Sequence, residues 1–246
     1  MSALPQLTAT ETKLFFRDPM TWTFALAVPP LLLVIFGAIP PFREPDPDLG
    51  GLRVIDLYAP ILVAVGISIL AVYSLPQQFA AYRETGILRR MRTTPVSPAS
   101  LLGALLILFA ALSLVTVGIV LAIARLAFAV ELPGNVPAYA VALALTAVAL
   151  LAIGLLIAAM APSGSSASAI GLVLFFPLAF FAGLWIPRES MSDMLRTVSD
   201  FTPIGAGVQS LQDAAAGNWP SLLHMAVLLG WSFVAGGIAA RYFRWE

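Results

Sequence analysis

Six stretches of about twenty residues each, at 20–39, 56–75, 101–124, 138–160, 166–186 and 221–240, carry almost no Asp, Glu, Lys or Arg at their centres. A helix of that length rises about 1.5 Å per residue and crosses about 30 Å of hydrocarbon. Hydrophobic residues make up 60% of the 246 and charged ones 11%, against about half and roughly 25% in a soluble domain. The charges gather in short islands between the apolar runs. These features predict an all-α polytopic membrane protein with six transmembrane helices. The first twenty residues include Glu11, Asp18 and two prolines, so the first run reads as a retained span and not as a secretory signal.

The islands define the connections. In residues 1–19, Leu4, Leu7, Leu14 and Phe15 fall on one side at helical spacing, with Thr8, Glu11, Thr12 and Lys13 largely elsewhere. That pattern predicts an N-terminal amphipathic helix lying in the headgroup layer. Pro29-Pro30 should kink the first span, which is tolerable where neighbours satisfy the freed carbonyls. Gly164/Ser168 and Ala167/Gly171 are pairs of small residues that permit close helix approach. Residues 187–220 form the longest connection. There Met191, Met194, Leu195, Val198 and Phe201 recur at helical spacing after Ser190, with Asp193 placed for a capping box. Ile204, Val208, Leu211 and Ala215 repeat the pattern after Pro203. Two short amphipathic, re-entrant helices before the sixth span are expected.

Charge orients the whole. Residues 76–100 are the only long basic run, with Arg83, Arg89, Arg90 and Arg92 against Glu84. Basic loops stay in the cytoplasm. With both termini on that side too, Lys13, Arg17, Arg241 and Arg244 join them, while Arg43, Arg53, Arg125, Arg188 and Arg196 fall outside with most of the acids. Six spans with both ends inside satisfy this bias. Residues 77–91 of the basic run can form a short amphipathic helix for a groove on a soluble partner. Alternatively, they form a loop that binds anionic lipid.

The missing motifs narrow the chemistry. There is no cysteine, hence no disulfide or thiolate metal site. The single lysine, Lys13, has no glycine-rich loop around it, so the chain cannot cradle a nucleotide by the phosphate-loop mechanism. No H-E-x-x-H metalloprotease motif occurs. Ser163-Gly164-Ser165-Ser166 and His224 are a serine and a histidine candidate for nucleophilic catalysis. The six-span topology, however, puts them on opposite sides, as a flexible turn and a solvated histidine. The span centres also lack the ionisable relay of proton-coupled transporters. A permease driven from outside, or a non-transporting membrane protein, fits these absences.

The run Tyr82-Arg83-Glu84-Thr85-Gly86-Ile87-Leu88-Arg89-Arg90-Met91-Arg92-Thr93-Thr94-Pro95-Val96-Ser97-Pro98 resembles the cytoplasmic loop of ABC type-2 transporter permeases, bacterial exporters of drugs and lipids. Arg17-Asp18-Pro19 after an amphipathic helix, and Phe181-Ala182-Gly183-Leu184-Trp185-Ile186-Pro187 followed by Thr202-Pro203, resemble the same family. The resemblance implies one permease domain over 1–246, divided into an interfacial helix (1–19), two spans (20–75), a cytoplasmic coupling segment (76–100), three spans (101–186), an outer amphipathic segment (187–220) and the last span with its tail (221–246). It implies a plasma-membrane protein that is not itself an enzyme and binds no cofactor, ATP and Mg²⁺ belonging to a separate ATPase subunit. Its other partners would be a second permease subunit, identical or not, and membrane lipid, with no nucleic acid. Arg83, Glu84, Gly86 and Leu88 are the implied coupling contact, Glu84 pairing with a basic residue of the ATPase. Tyr73, Phe175, Phe176 and Phe180 are the implied pathway lining, although packing or lipid contact accounts for them equally. A hydrophobic small molecule, drug or lipid is the implied cargo. The outer segment departs from the family's style in its glycine-rich Pro203-Ile204-Gly205-Ala206-Gly207. The alternative is a non-transporting assembly or anchoring protein.

Overall fold

The structure is a computed structural model that describes residues 3–49, 51–91 and 98–242. The Arg92–Ser97 part of the basic motif, and Arg244 and Glu246 of the tail, lie outside the described residues. The helices are α1 (Ala3–Arg17), α2 (Pro19–Gly37), α3 (Val54–Ser68), α4 (Leu75–Glu84), α5 (Ile87–Met91), α6 (Pro98–Phe128), α7 (Val136–Met160), α8 (Gly164–Phe181), α9 (Asp193–Phe201), α10 (Pro203–Ala215) and α11 (Leu222–Tyr242). Among the described residues, five helical stretches are long and apolar enough to cross a membrane, and the pair α1–α2, bent by 70°, makes up to a sixth. No strand occurs among the described residues. The fold is that of an all-α polytopic membrane protein.

One helix organises the bundle. Residues Val54–Glu84 form a continuous rod in which 83% of the most apolar window is buried, against 17% for α11 and 22% for α8. The rod is therefore the hub, and α8 and α11 present most of their apolar surface outward, as suits helices whose solvent is lipid. The helix that carries the second span runs on through residues 76–84, the first part of the expected coupling segment, and ends at Glu84.

Between α3 and α4 the rod widens into a π-helical turn, Ile69–Ser74. Pro76 explains it. Proline has no N–H, so it cannot donate to Val72 in an α register or to Ala71 in a π register. The Leu75 N–H turns instead to the carbonyl of Leu70. The Ala71 and Val72 carbonyls project, and a glycine faces each. A Cβ on Gly154 of α7 would strike the Ala71 oxygen, and one on Gly171 of α8 would lie 2.5 Å from that of Val72. The small-residue pair predicted at Ala167/Gly171 is thus a packing seam against the rod.

At one end of the bundle, Arg53 bonds to Asp56 (2.9 Å from Nε, 2.6 Å from Nη2) and to the Phe128 and Ala129 carbonyls at 3.1 and 3.2 Å. It thereby joins the start of α3 to the end of α6. Its guanidinium is held above its ordinary pKa, chiefly by the Asp56 hydrogen bond. Arg43 donates to the Gly37 carbonyl and lies over the Phe128 ring, 5.2 Å from its centre. Pro29 and Pro30 are buried, and Pro29 meets α3 at Gly66, so neighbouring helices cover the irregular backbone.

The two short helices before α11 differ from each other. Ser192, not Ser190, caps α9, accepting from the Leu195 N–H. Met194, Val198 and Phe201 of α9 remain exposed, an apolar face of the kind that seats in a membrane surface. By contrast, α10 is capped by Thr202 and buries Ile204, Val208 and Leu211 against α7 and α3. Its glycines explain the depth: a Cβ on Gly207 would lie 2.7 Å from Thr146 of α7. α10 is therefore a buried helix and not a surface one.

Candidate functional site

Four polar side chains stand on the last turns of the rod. Gln78, Tyr82, Arg83 and Glu84 lie on consecutive turns of α4, and each finds a partner on another element.

Arg83 turns toward the end of α7. Its Nη1 donates to the Ala161 carbonyl at 2.9 Å and its Nη2 to that of Ala158 at 3.1 Å. These carbonyls belong to the last turn of α7, where helix geometry leaves acceptors unused and the macrodipole favours a cation. The stem runs beside Phe79, with the guanidinium carbon 5.7 Å from the ring centre. Glu84 turns toward the start of α8, where its Oε2 accepts from the Gly164 N–H at 3.1 Å. That is an orphan donor at a helix N-terminus, the end that favours an anion.

Tyr82 and Gln78 reach the other way. Tyr82 donates to Glu11 Oε2 at 2.6 Å and Gln78 Nε2 donates to the same atom at 3.0 Å. Glu11 is 4% exposed, which corrects the reading of α1. Its inward face carries Glu11 and Phe15, while Leu4 and Leu14 are exposed. An acid can face inward here because two donors on α4 satisfy it. Beside this bridge, α1 stands off α4 across a cavity of about 290 Å³ lined by residues that include Leu14, Phe15, Ser74 and Gln77.

Beyond Glu84 the chain turns at Gly86, whose φ of +72° is ready for glycine and costly for other residues. α5 comes next. Its Leu88 is buried at 1% exposure and its Ile87 is exposed. Arg90 Nη2 donates back to the Thr85 carbonyl at 3.4 Å. A short helix is thus anchored by one leucine and joined to the rod by a glycine hinge.

The four aromatics have separate ring partners. Tyr73, in the π-turn, pairs with Phe24 of α2 at 5.7 Å; Phe175 pairs with Phe176 at 6.1 Å, and Phe180 with Phe181 at 5.3 Å. Phe176 is exposed.

A second polar cluster has no signal in the sequence. Asp200 of α9 accepts from Arg188 Nη2 at 2.6 Å and lies 3.0 Å from His224 Nε2 of α11. His224 is 12% exposed, so it is enclosed and not solvated. Ser163, for its part, caps α8 by accepting from the Ser166 N–H at 3.2 Å. His224 and the serine cluster thus have separate partners, and they form no nucleophile–base pair among the described residues.

A buried hub helix, a polar end that grips three neighbours and a short helix beyond a glycine turn mark one end of a bundle whose long helices have membrane-spanning length. The family model described as ABC-2 type transporter matches residues 3–215, and the chain belongs to that family. It is a membrane-embedded permease of an ABC transporter. No curated protein matches the chain.

Proposed function

We propose that the chain is the membrane-spanning subunit of an ATP-driven exporter of a hydrophobic small molecule, drug or lipid. It pairs with a second permease subunit and with a separate ATPase that binds ATP and Mg²⁺. Membership of the ABC-2 family supports this reading, and the observation that carries it is the short helix α5, with Ile87 and Arg90 exposed, set on a glycine hinge at the end of the bundle's central rod. The coupling contact is the segment around Arg83, Glu84, Gly86 and Leu88: Leu88 anchors it, Gly86 sets its direction, and Arg83 and Glu84 hold its base. This end, with both termini, faces the cytoplasm, in keeping with its concentration of arginine. Tyr73, Phe175, Phe176 and Phe180 offer apolar contacts to the cargo along the rod and α8.

The test is reconstitution in liposomes with the ATPase subunit, with fluorescent lipid analogues and hydrophobic dyes as cargo. ATP-dependent movement of at least one, absent with a hydrolysis-dead ATPase, is the expected result. ATP hydrolysis that is indifferent to this chain, with no cargo moved, would overturn the reading and favour an assembly or anchoring role.

A further inference from the structure

Arg83 and Glu84 are neighbours in sequence, so on α4 they point about 100° apart and do not face each other. Both nevertheless reach the same object, the tip of the α7–α8 hairpin. The hairpin wraps the last turn of α4, with the end of α7 on one side and the start of α8 on the other. We propose that Arg83 and Glu84 are positioning residues that latch the α7–α8 hairpin to the coupling segment, and that they act within the chain and not as surface partners of the ATPase. This inference rests on the permease reading and deepens it.

The chemistry of the latch is matched at both ends. A forked guanidinium spans two carbonyls of the α7 terminus, Ala158 and Ala161, a geometry that a point-charge lysine does not reproduce. A carboxylate takes the first N–H of α8. Around these bonds the packing is close: Ala80, Ala161 and Ala167 form a cluster of zero exposure, and a Cβ on Gly164 would lie 3.4 Å from that of Ala81. Rod and hairpin tip therefore move together. The rod ends at Glu84 and the chain turns at Gly86, so the latch is the last rigid joint before the hinged helix. A displacement of α5 reaches α7 and α8 through these two side chains. At its far end α8 meets α9, where Ser199 Oγ donates to the Phe181 carbonyl at 2.8 Å. The same rigid helix thus links the latch to the opposite end of the bundle.

Glutamine at position 84 separates this role from an ion pair with the partner, because its amide oxygen still accepts the Gly164 N–H while its charge is gone. The natural chain has no cysteine, so spin labels on Ile87→Cys and Ala169→Cys report the separation of α5 from α8 without background. Distances are measured on the purified full-length chain, and ATP hydrolysis on its complex with the ATPase. The latch predicts that Glu84→Gln keeps the parent's narrow distance distribution and most of its coupled hydrolysis. Arg83→Ala and Glu84→Ala broaden the distribution and lower coupling at least about tenfold, since each removes a charge-assisted hydrogen bond. Arg83→Lys restores coupling only in part. The latch is overturned if Glu84→Gln uncouples as completely as Glu84→Ala with the distances unchanged, because the partner would then be reading the charge. It is equally overturned if neither alanine variant alters the distances. Failure of the permease reading looks different: the parent complex itself would show no hydrolysis that responds to this chain, while the distances would still decide the latch.

Discussion

Gly154→Ala should cost this protein more stability than a single added methyl normally does. The new Cβ would overlap the Ala71 carbonyl oxygen in the π-turn. The obstacle is backbone, not the tip of a flexible side chain, and that backbone is already displaced because Pro76 cannot hydrogen-bond it. Relief requires α7 to move off the rod or the π-turn to be rebuilt. Overpacking in a filled core costs about 1–3 kcal/mol, and a rigid obstacle places this case near about 3 kcal/mol. At about 2–4 °C per kcal/mol for a chain of this size, the melting temperature should fall by roughly 6–12 °C. Thermal melting of the purified protein in detergent, followed by the fluorescence of its five tryptophans, reads the shift directly. Gly118→Ala in α6 and Gly230→Ala in α11 are the controls, since neither new methyl would meet a heavy atom within 4 Å. These should melt with the parent or a few degrees above it, as alanine favours a helix over glycine by about 1 kcal/mol. If Gly154→Ala melts with its controls, α7 does not press on the rod, and Pro76 does not push the Ala71 carbonyl against it.

Gly86→Ala forces a side chain into a left-handed backbone at φ +72°, costing about 1–2 kcal/mol. Lower ATPase retention during purification, with the membrane core still melting cooperatively, is the expected result. Glu11→Ala should release α1 from α4 by removing the acceptor shared by Tyr82 and Gln78. Trypsin should then cut faster at Lys13 and Arg17, whereas Glu11→Gln, which keeps an acceptor, should stay protected. Asp200→Asn strips the charge between Arg188 and His224 and should destabilise by about 2 kcal/mol in a detergent melt, since the enclosed guanidinium loses its counterion. Asp193→Asn, a fully exposed carboxylate 3.9 Å from Arg196, should melt like the parent.

The spans are legible because hydrocarbon imposes one requirement, length without charge, and the sequence meets it openly. The short helices are legible for a similar reason: Pro203 suits a helix start, and the Met194, Val198 and Phe201 spacing is helical. Local pattern misleads where tertiary partners override it. Residues 77–91 read as a separate short helix or a lipid-binding loop, yet Gln78, Tyr82 and Arg83 continue the rod, with Glu11 and the carbonyls at the end of α7 as their partners. Glu11 falls on the polar face of α1 by pattern, since amphipathicity contains no term for an acceptor's donors on a helix far along the chain. α10 reads as a surface helix by composition, but Gly205 and Gly207 let it sink against Ser199 and Thr146. The Arg188–Asp200–His224 cluster joins residues from three separate elements, and no spacing rule connects them. Arg83 and Glu84 stand out as a pair in the sequence, while the helix ends they reach, from a half-buried arginine and an exposed glutamate, need the fold.

The proposed partnership of this permease with a separate ATPase is tested most directly by tagging the C-terminus, extracting the protein gently from its native membrane and identifying its companions. The expected result is a co-purifying ATPase in fixed ratio, whose hydrolysis changes when Glu84→Ala replaces the parent chain. A single clean protein with no ATPase, under conditions that keep other membrane complexes intact, would contradict it.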